Sequence, residues 1–246
     1  MFLEDNSFSV LWSVNESYAE CLHSLNFVSW FHLSRHILHS IYENEKRETD
    51  IVDSMSRFPV GKVAFFATGN VHKFNEARLL LSEFKVAAAM LRVKTVEIQD
   101  SDIENIAVAS VLDAVKKCRL PIIVEDAGLF IEALDDFPGP YSSYVFQTIG
   151  TSGVLKLMKN IGDRSACFRS VIAFCRPKEK PITFLGEVNG RIVEEERGSS
   201  GFGFDPIFAP LKGDGRTFAE MKTEEKNKYS HRAQALRKFA KWYISG

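Results

Sequence analysis

The spacing of apolar residues changes character along the chain, and those changes predict its elements. Between Glu16 and Glu45, apolar residues recur at Leu22, Leu25, Val28, Phe31, Ile37, Leu38 and Ile41, a helical rather than a strand period. The run dissolves into ENEKRETD, a solvated charged linker. Residues 1–57 are therefore set apart as an N-terminal helical extension, and residues 58–246 as the main domain. From Lys62 the pattern is different. Val63–Ala67 is a continuous apolar run of strand length, ended by Thr68-Gly69-Asn70, and Lys73, Glu76, Ala77 and Leu79–Leu81 then give a helical pattern. Val86–Val93 reads as a second strand, Glu97-Ile98-Gln99-Asp100 as an acidic turn, and Ile103–Lys117 as a helix whose closing Lys116 and Lys117 suit the dipole. Ile122–Val124 is short and wholly apolar, the mark of a buried strand. This alternation of strand and helix predicts an α/β layer structure with a partly parallel sheet.

Past Phe137-Pro138-Gly139-Pro140, read as a rigid turn, the pattern shifts again. Val145–Ile149 and Thr151–Lys159 are helical stretches separated by Gly150. Ala166–Cys175, Thr183–Val188 and Arg191–Glu196 read as antiparallel strands, with Asn189-Gly190 as a hairpin turn because both residues tolerate positive φ. Thr223 starts a helix, and Ser230 caps a final amphipathic helix through Ala233, Leu236, Phe239, Ala240 and Tyr243.

Chemistry enters at four places on this frame. Glu125 and Asp126 sit side by side where the Ile122–Val124 strand ends, and charges at the mouth of a buried strand are costly unless something pairs with them. A metal ion, or a phosphate held through one, is the natural partner. Thr68-Gly69-Asn70 lies between a strand and a helix, a layout that points free N–H groups and a helix dipole at an anion, with Lys73 adding charge. It is not a Walker loop, since GxxxxGK[ST] is absent. Gly201-Phe202-Gly203-Phe204-Asp205-Pro206 sets two aromatics between glycines and beside an acid, which suits a ring-stacking platform for a purine as well as an aromatic-rich turn packed on the sheet. Lys226, His231 and Arg232 gather near helix N-termini, where the dipole disfavours cations, so an anion or a carbonyl-rich ligand is expected there. His32 and His36 lie one helical turn apart near His23 and His39, yet no HExxH pattern or spaced acid completes a metal site, and they read as positions on a packing helix. A second reading of the extension places the start of the chain at Met55.

Bulk properties narrow the classes. With 246 residues, 45% of them hydrophobic, the chain is long enough for one large domain or two small ones. A net charge of −1 gives no basic field, so a nucleic-acid polymer is not an expected partner. Cys21, Cys118, Cys167 and Cys175 form no CxxC pair, which fits a reducing cytoplasm. The opening residues carry acids where a secretory signal carries Lys or Arg, and no apolar run approaches the ~20 residues of a membrane span, so neither export nor a membrane is expected.

TGNVHKFNEA (68–77), VEDAGL (124–129), FPGPYS (137–142), GFGFDPIF (201–208) and TFAEM with EKN and SHR (217–232) together resemble the inosine triphosphate pyrophosphatases, also called non-canonical purine NTP pyrophosphatases. The resemblance runs from about Val63 to the C-terminus, in the family's order and spacing. It implies an elongated mixed β-sheet flanked by helices, a homodimer, and Mg²⁺-dependent hydrolysis of ITP, dITP or XTP to the monophosphate and pyrophosphate. Carried over by position, Thr68, Gly69, Asn70, Val71, His72 and Lys73 hold the triphosphate. Glu97 and Asp126 anchor the metal, and Asp126 also accepts the proton of the attacking water. Phe202 stacks on the base, with Gly203, Phe204 and Asp205 lining its pocket, while Lys226, His231 and Arg232 contact the base and its 6-oxo group. No role is assigned to Glu125.

The chain departs from the family pattern at three places. Ala127 stands where Ser or Thr commonly follows the Glu-Asp pair, Ser143 replaces a lysine after the PGPY turn, and Ala107–Val111 holds no phosphate-binding lysine. Reduced affinity is expected from the last two, with Lys116 or Lys117 as compensating cations. Two alternatives follow: a nucleotide-binding module of the same fold with weakened catalysis, and a Maf-like pyrophosphatase of different base preference, against which SHR and GFGFDP argue.

Overall fold

The computed structural model describes residues 62–246, so the helical extension, its histidines and the boundary at residue 57 lie outside the described residues. Strand β1 (Lys62–Ala67) leads into helix α1 (Val71–Glu83) and β2 (Val86–Leu91), which lies parallel to β1 in register from Lys62↔Val86 to Ala67↔Leu91. Helix α2 (Ile103–Cys118) returns the chain to β3 (Ile122–Ile131), whose first residues pair parallel to β1 at Phe65↔Ile122 and Phe66↔Ile123. Two βαβ crossovers thus build the parallel half.

The remaining pairings are antiparallel. The dipeptide β4 (Pro138–Gly139) adds to the far end of β3, so the expected rigid turn is also a short strand. After α3 (Ser142–Thr148) and α4 (Gly150–Leu157), β5 (Ser165–Cys175) pairs with the whole of β3, β6 (Ile182–Ile192) pairs with β5, and β7 (Phe208–Pro210) closes on β6. The strand order is β2-β1-β3-β5-β6-β7. Short α5 (Thr223–Lys226) precedes the long C-terminal α6 (His231–Ser245), which Ser230 caps by accepting the Ala233 N–H at 3.2 Å.

Three buried clusters follow from the period-2 alternation of the strands. On one face Phe65, Ile122, Val124, Val171 and Ala173 pack against Ala107, Val111 and Ala114 of α2. On the other, Phe66, Ile123, Ile172 and Phe174 meet Leu80 and Leu81 of α1 and Leu236 and Phe239 of α6. Farther along the long strands, Leu129, Ile131, Phe168 and Val188 gather Val154, Met158, Phe208 and Phe218 into a third cluster.

Two expectations need correction. Asn189-Gly190 is not a hairpin: β6 runs unbroken through both residues. Glycine is required at 190 because β7 approaches closely, and a Cβ there would lie 2.3 Å from the Phe208 ring and 2.5 Å from the Ala209 carbonyl oxygen. The second correction concerns Glu125 and Asp126. They lie within a ten-residue strand, not at its end. What ends near them is the neighbour, since β1 pairs with β3 only through Ile123. Loss of that neighbour opens the sheet beside the two acids.

Candidate active site

Thr68 follows the last residue of β1 and donates its N–H to the Leu91 carbonyl at 3.0 Å, fixing the turn against β2. Its hydroxyl accepts the Asn70 N–H, and the Asn70 side chain caps α1 by accepting the Lys73 N–H, both at 3.1 Å. These two side chains shape the turn through their acceptor oxygens, which does not use the Thr68 O–H or the Asn70 amide N–H as donors. Gly69 has nothing within 4 Å of where a Cβ would stand, so the backbone there is open to an approaching group.

Alternation along β3 sends its two acids to opposite faces. Glu125 shares the face of Ile123, under α1 and α6, and its side chain is wholly inaccessible. The Lys73 ammonium lies 2.9 Å from Oε2, while Arg232 Nε donates to Oε1 at 3.0 Å and the Ser170 hydroxyl donates to the same oxygen at 2.7 Å. Burial alone would raise the Glu125 pKa, but the Arg232 and Lys73 charges overcome it and hold the carboxyl well below the usual range. The acid without an assigned role is thus the anchor of two site cations.

Asp126 shares the α2 face with Val124. No cation among the described residues bonds to it. Burial pushes its pKa up to about 6; the nearby Lys73 charge opposes this, and the charges of Glu125 and Glu97 add to it. Its one hydrogen bond among the described residues is from the N–H of Ala127, at 3.0 Å.

A residue missed in the sequence organises the other side of the site. Glu76 of α1 is buried beside Leu80 and Leu81 and accepts hydrogen bonds from Lys226 Nζ at 2.8 Å and from Arg232 Nη1. Lys226 also meets Asp205 at 2.6 Å, and Asp205 in turn accepts the Phe202 N–H at 2.9 Å. Gly201 permits this fold of the loop: its φ is +75°, and a Cβ there would stand 2.1 Å from the Asp205 carboxylate. The signal for Glu76 was a lone acid on the buried stripe of an amphipathic helix. The anions expected opposite Lys226 and Arg232 are therefore the protein's own carboxylates. Lys226, moreover, closes α5 rather than opening a helix. Burial would raise the pKa of Glu76, and Arg232 and Lys226 bring it below the ordinary value; burial raises that of Asp205 against the pull of Lys226.

Above this buried layer the Phe202 ring has Lys226 Nζ 4.9 Å and Arg232 Cζ 5.2 Å from its centroid, and it stacks with His72 at 5.2 Å and 22°. His231, in the first turn of α6, stacks on Phe168 at 4.6 Å and 10°, and its Nδ1 is buried without a hydrogen-bond partner. Burial, reinforced by the Arg232 charge, lowers its pKa well below the ordinary value, so the ring is neutral at pH 7.

One cleft of about 2020 Å³ takes in the Thr68–Lys73 turn apart from Val71, together with Glu97, Asp126, Phe202–Asp205, Lys226, His231 and Arg232. Val71, the remaining member of the expected set, is 46% exposed at the start of α1. A model of the Ham1 family matches residues 64–242.

The chain belongs to the Ham1 family. Relatives named dITP/XTP pyrophosphatase include those of Methanopyrus kandleri, 49% identical over 178 residues that cover 72% of this chain and 94% of the relative, and Saccharolobus solfataricus, also 49% identical over 178 residues, covering 72% and 92%. Among solved structures, the Ham1 protein of Coxiella burnetii superposes with a TM-score of 0.67 at 31% identity, covering 75% of this chain and all of that one. The Staphylococcus aureus Ham1 protein gives 0.65 at 27% identity, with 75% and 99% covered. The mixed sheet flanked by helices is the Ham1 fold.

Among the described residues of this Ham1 chain, no group of three or more His, Cys, Asp or Glu is poised to hold a metal. Glu97 and Asp126 nevertheless line one cleft, close enough for the charge of one to act on the other. Glu125 is already neutralised. Two carboxylates facing open space match Mg²⁺, which takes one or two carboxylates and completes its shell with phosphate oxygens and water. Of the two compensating lysines considered, Lys117 lines the cleft, with Nζ engaged by Asp113 and the Lys94 carbonyl at 2.7 Å each.

Proposed function

We propose that this chain hydrolyses non-canonical purine nucleoside triphosphates, ITP, dITP or XTP, at the α–β phosphoanhydride bond, yielding the monophosphate and pyrophosphate, with Mg²⁺ as cofactor. The observation that carries the reading is the contrast within Glu125-Asp126: one acid is locked into ion pairs, while the other, with a pKa of about 6, faces the cleft.

In this mechanism the triphosphate lies along Thr68–Lys73, where Gly69 leaves the backbone accessible and the α1 N-terminus and Lys73 supply positive potential. Glu97 and Asp126 would hold the magnesium ion, which would supply charge neutralisation on the phosphates when bound. Asp126, which lines the cleft as a carboxylate, takes the proton from the attacking water. The base lies against Phe202. Arg232 spends Nε and Nη1 on Glu125 and Glu76, which leaves Nη2 to donate to the 6-oxo group. A donor there meets adenine's amino group unfavourably, a penalty of roughly 1–3 kcal/mol per buried unpaired group. Neutral His231 completes the pocket wall. Work on the cytoplasmic nucleotide pool, as a homodimer, fits this chemistry.

The deciding assay is pyrophosphate release from a nucleotide panel with and without Mg²⁺. Rapid turnover of ITP and XTP over ATP and GTP is expected. Equal turnover of all four, or orthophosphate as first product, would overturn the proposal.

A further inference from the structure

Residues 92–100, which carry Glu97, form neither helix nor strand, and Val96 is 50% exposed. Val93 rests on the core at its start, and beyond that point side chains of α2 hold the stretch. The Val96 N–H donates to Asp113 Oδ2 at 2.9 Å, and the Val96 carbonyl accepts from the Ser110 hydroxyl at 3.0 Å. Lys117 Nζ donates to the Lys94 carbonyl and to Asp113, each at 2.7 Å. Positions 110, 113 and 117 are spaced three and four apart, so they form one stripe along the helix. The adjoining stripe, Ala107, Val111 and Ala114, is fully buried against the sheet, which makes α2 a firm support.

Both backbone polar groups of Val96 are thus satisfied as a neighbouring strand would satisfy them, but by two side chains. The next residue is Glu97. In the absence of a cation Glu97 and Asp126 repel one another, and an exposed loop would relax outward unless restrained. A clasp on the preceding peptide removes that freedom before any ligand arrives.

We propose that Ser110 and Asp113 are positioning residues that hold Glu97 towards Asp126, so that divalent-cation affinity is set from the stripe of α2 that faces the 92–100 stretch. The inference rests on the pyrophosphatase reading and on Glu97 as a metal ligand. Residues that orient metal ligands from outside the coordination shell change affinity by about 10- to 100-fold when removed, and the clasp falls in that class although it acts through backbone.

The test uses the full chain and Mn²⁺ alone, with bound ion read by water-proton relaxation, beside Mg²⁺-dependent turnover. Glu97→Gln is expected to weaken Mn²⁺ binding by about 10-fold or more, and Ser110→Ala/Asp113→Ala to weaken it by about 10-fold. In the double variant the Mg²⁺ concentration for half-maximal rate should rise in step, kcat at saturating Mg²⁺ should stay within about twofold, and hydrogen exchange at the Val96 amide should accelerate. Ser110→Thr, which keeps the hydroxyl, should restore affinity against Ser110→Ala. Should the double variant not fold, that single-residue pair carries the same comparison. Faster Val96 exchange with unchanged Mn²⁺ affinity would overturn the inference, as would a fall in kcat with the Mg²⁺ dependence intact. If Glu97→Gln itself binds Mn²⁺ like the parent chain, the metal assignment beneath the inference fails with it; if Glu97→Gln weakens binding and the clasp variants do not, the clasp alone is wrong.

Discussion

The two ends of the cleft solve the problem of charge in opposite ways. At the base end, Glu76, Glu125, Asp205, Lys226 and Arg232 are all buried and neutralise one another within hydrogen-bonding distance. At the end proposed for the phosphates, no cation among the described residues is bonded to Asp126 or Glu97, and the turn at Gly69 is open. The base end is finished in the free protein. The phosphate end is completed by what binds there. A pocket that must reject adenine benefits from fixed donors, because selectivity depends on groups that cannot swing away from a poor partner. A site for a magnesium–triphosphate needs unneutralised acids, since an internal cation would compete with the metal.

This contrast can be broken most severely at Glu125. Glu125→Ala leaves buried Arg232 and part-buried Lys73 without their shared partner, and a stability loss of roughly 3–5 kcal/mol is expected in urea denaturation, against little loss for a mutation at Glu97. Asp126→Asn should do the reverse. Turnover should fall by about 10³-fold with ITP binding retained, and near-normal kcat would refute its role as base. The same substitution removes a carboxylate that burial disfavours at pH 7, so the melting temperature of the metal-free protein should rise. Arg232→Ala should lower the ITP/ATP discrimination ratio by about 10-fold, measured as a ratio of kcat/KM values; an unchanged ratio would count against a reading role.

A further effect is on pH dependence. Glu76 and Glu125 have depressed pKa values, so the stability they contribute is present above their unfolded values, near 4.5, and is lost as pH falls through the folded ones. Asp126 acts oppositely. Its folded pKa of about 6 exceeds the ordinary 3.8, so the folded state binds its proton more tightly and stability falls as pH rises across that window. The metal-free protein should therefore lose stability between about pH 4 and 6 in a step that Asp126→Asn abolishes, while the acid limb below that window persists. A step unchanged by the substitution would place the titrating group elsewhere.

Much of this was legible in the sequence, for identifiable reasons. Strong local signals survived: the alternation of strand and helix from Val63 to Val124, the Ser230 cap, and the glycines of the 201–206 loop. The site motifs were legible as types, and the cleft brings nearly all of them together. What failed depended on contacts distant in sequence. Asn189-Gly190 has the chemistry of a turn, and only the approach of Phe208 shows that the glycine serves close packing. Glu125 and Asp126 look equivalent as neighbours. Their separate fates follow from which helix covers each face of β3, a fact that emerges only when α6 folds back over a hundred residues later. Glu76 was hidden for the same reason, its partners lying 150 and 156 positions away.

The ten paired residues shared by β3 and β5 have a mechanical consequence. These strands run through both ends of the molecule, like a beam beneath the cleft rather than a hinge between two plates. Opening the cleft by rigid rotation would shear a continuous ladder in mid-span, so accommodation of substrate falls to what rests upon the beam without such a clasp: the 201–204 loop and the short helices near Tyr144. A stiff floor with adjustable walls keeps Asp126 still while the rest of the site adapts around the nucleotide.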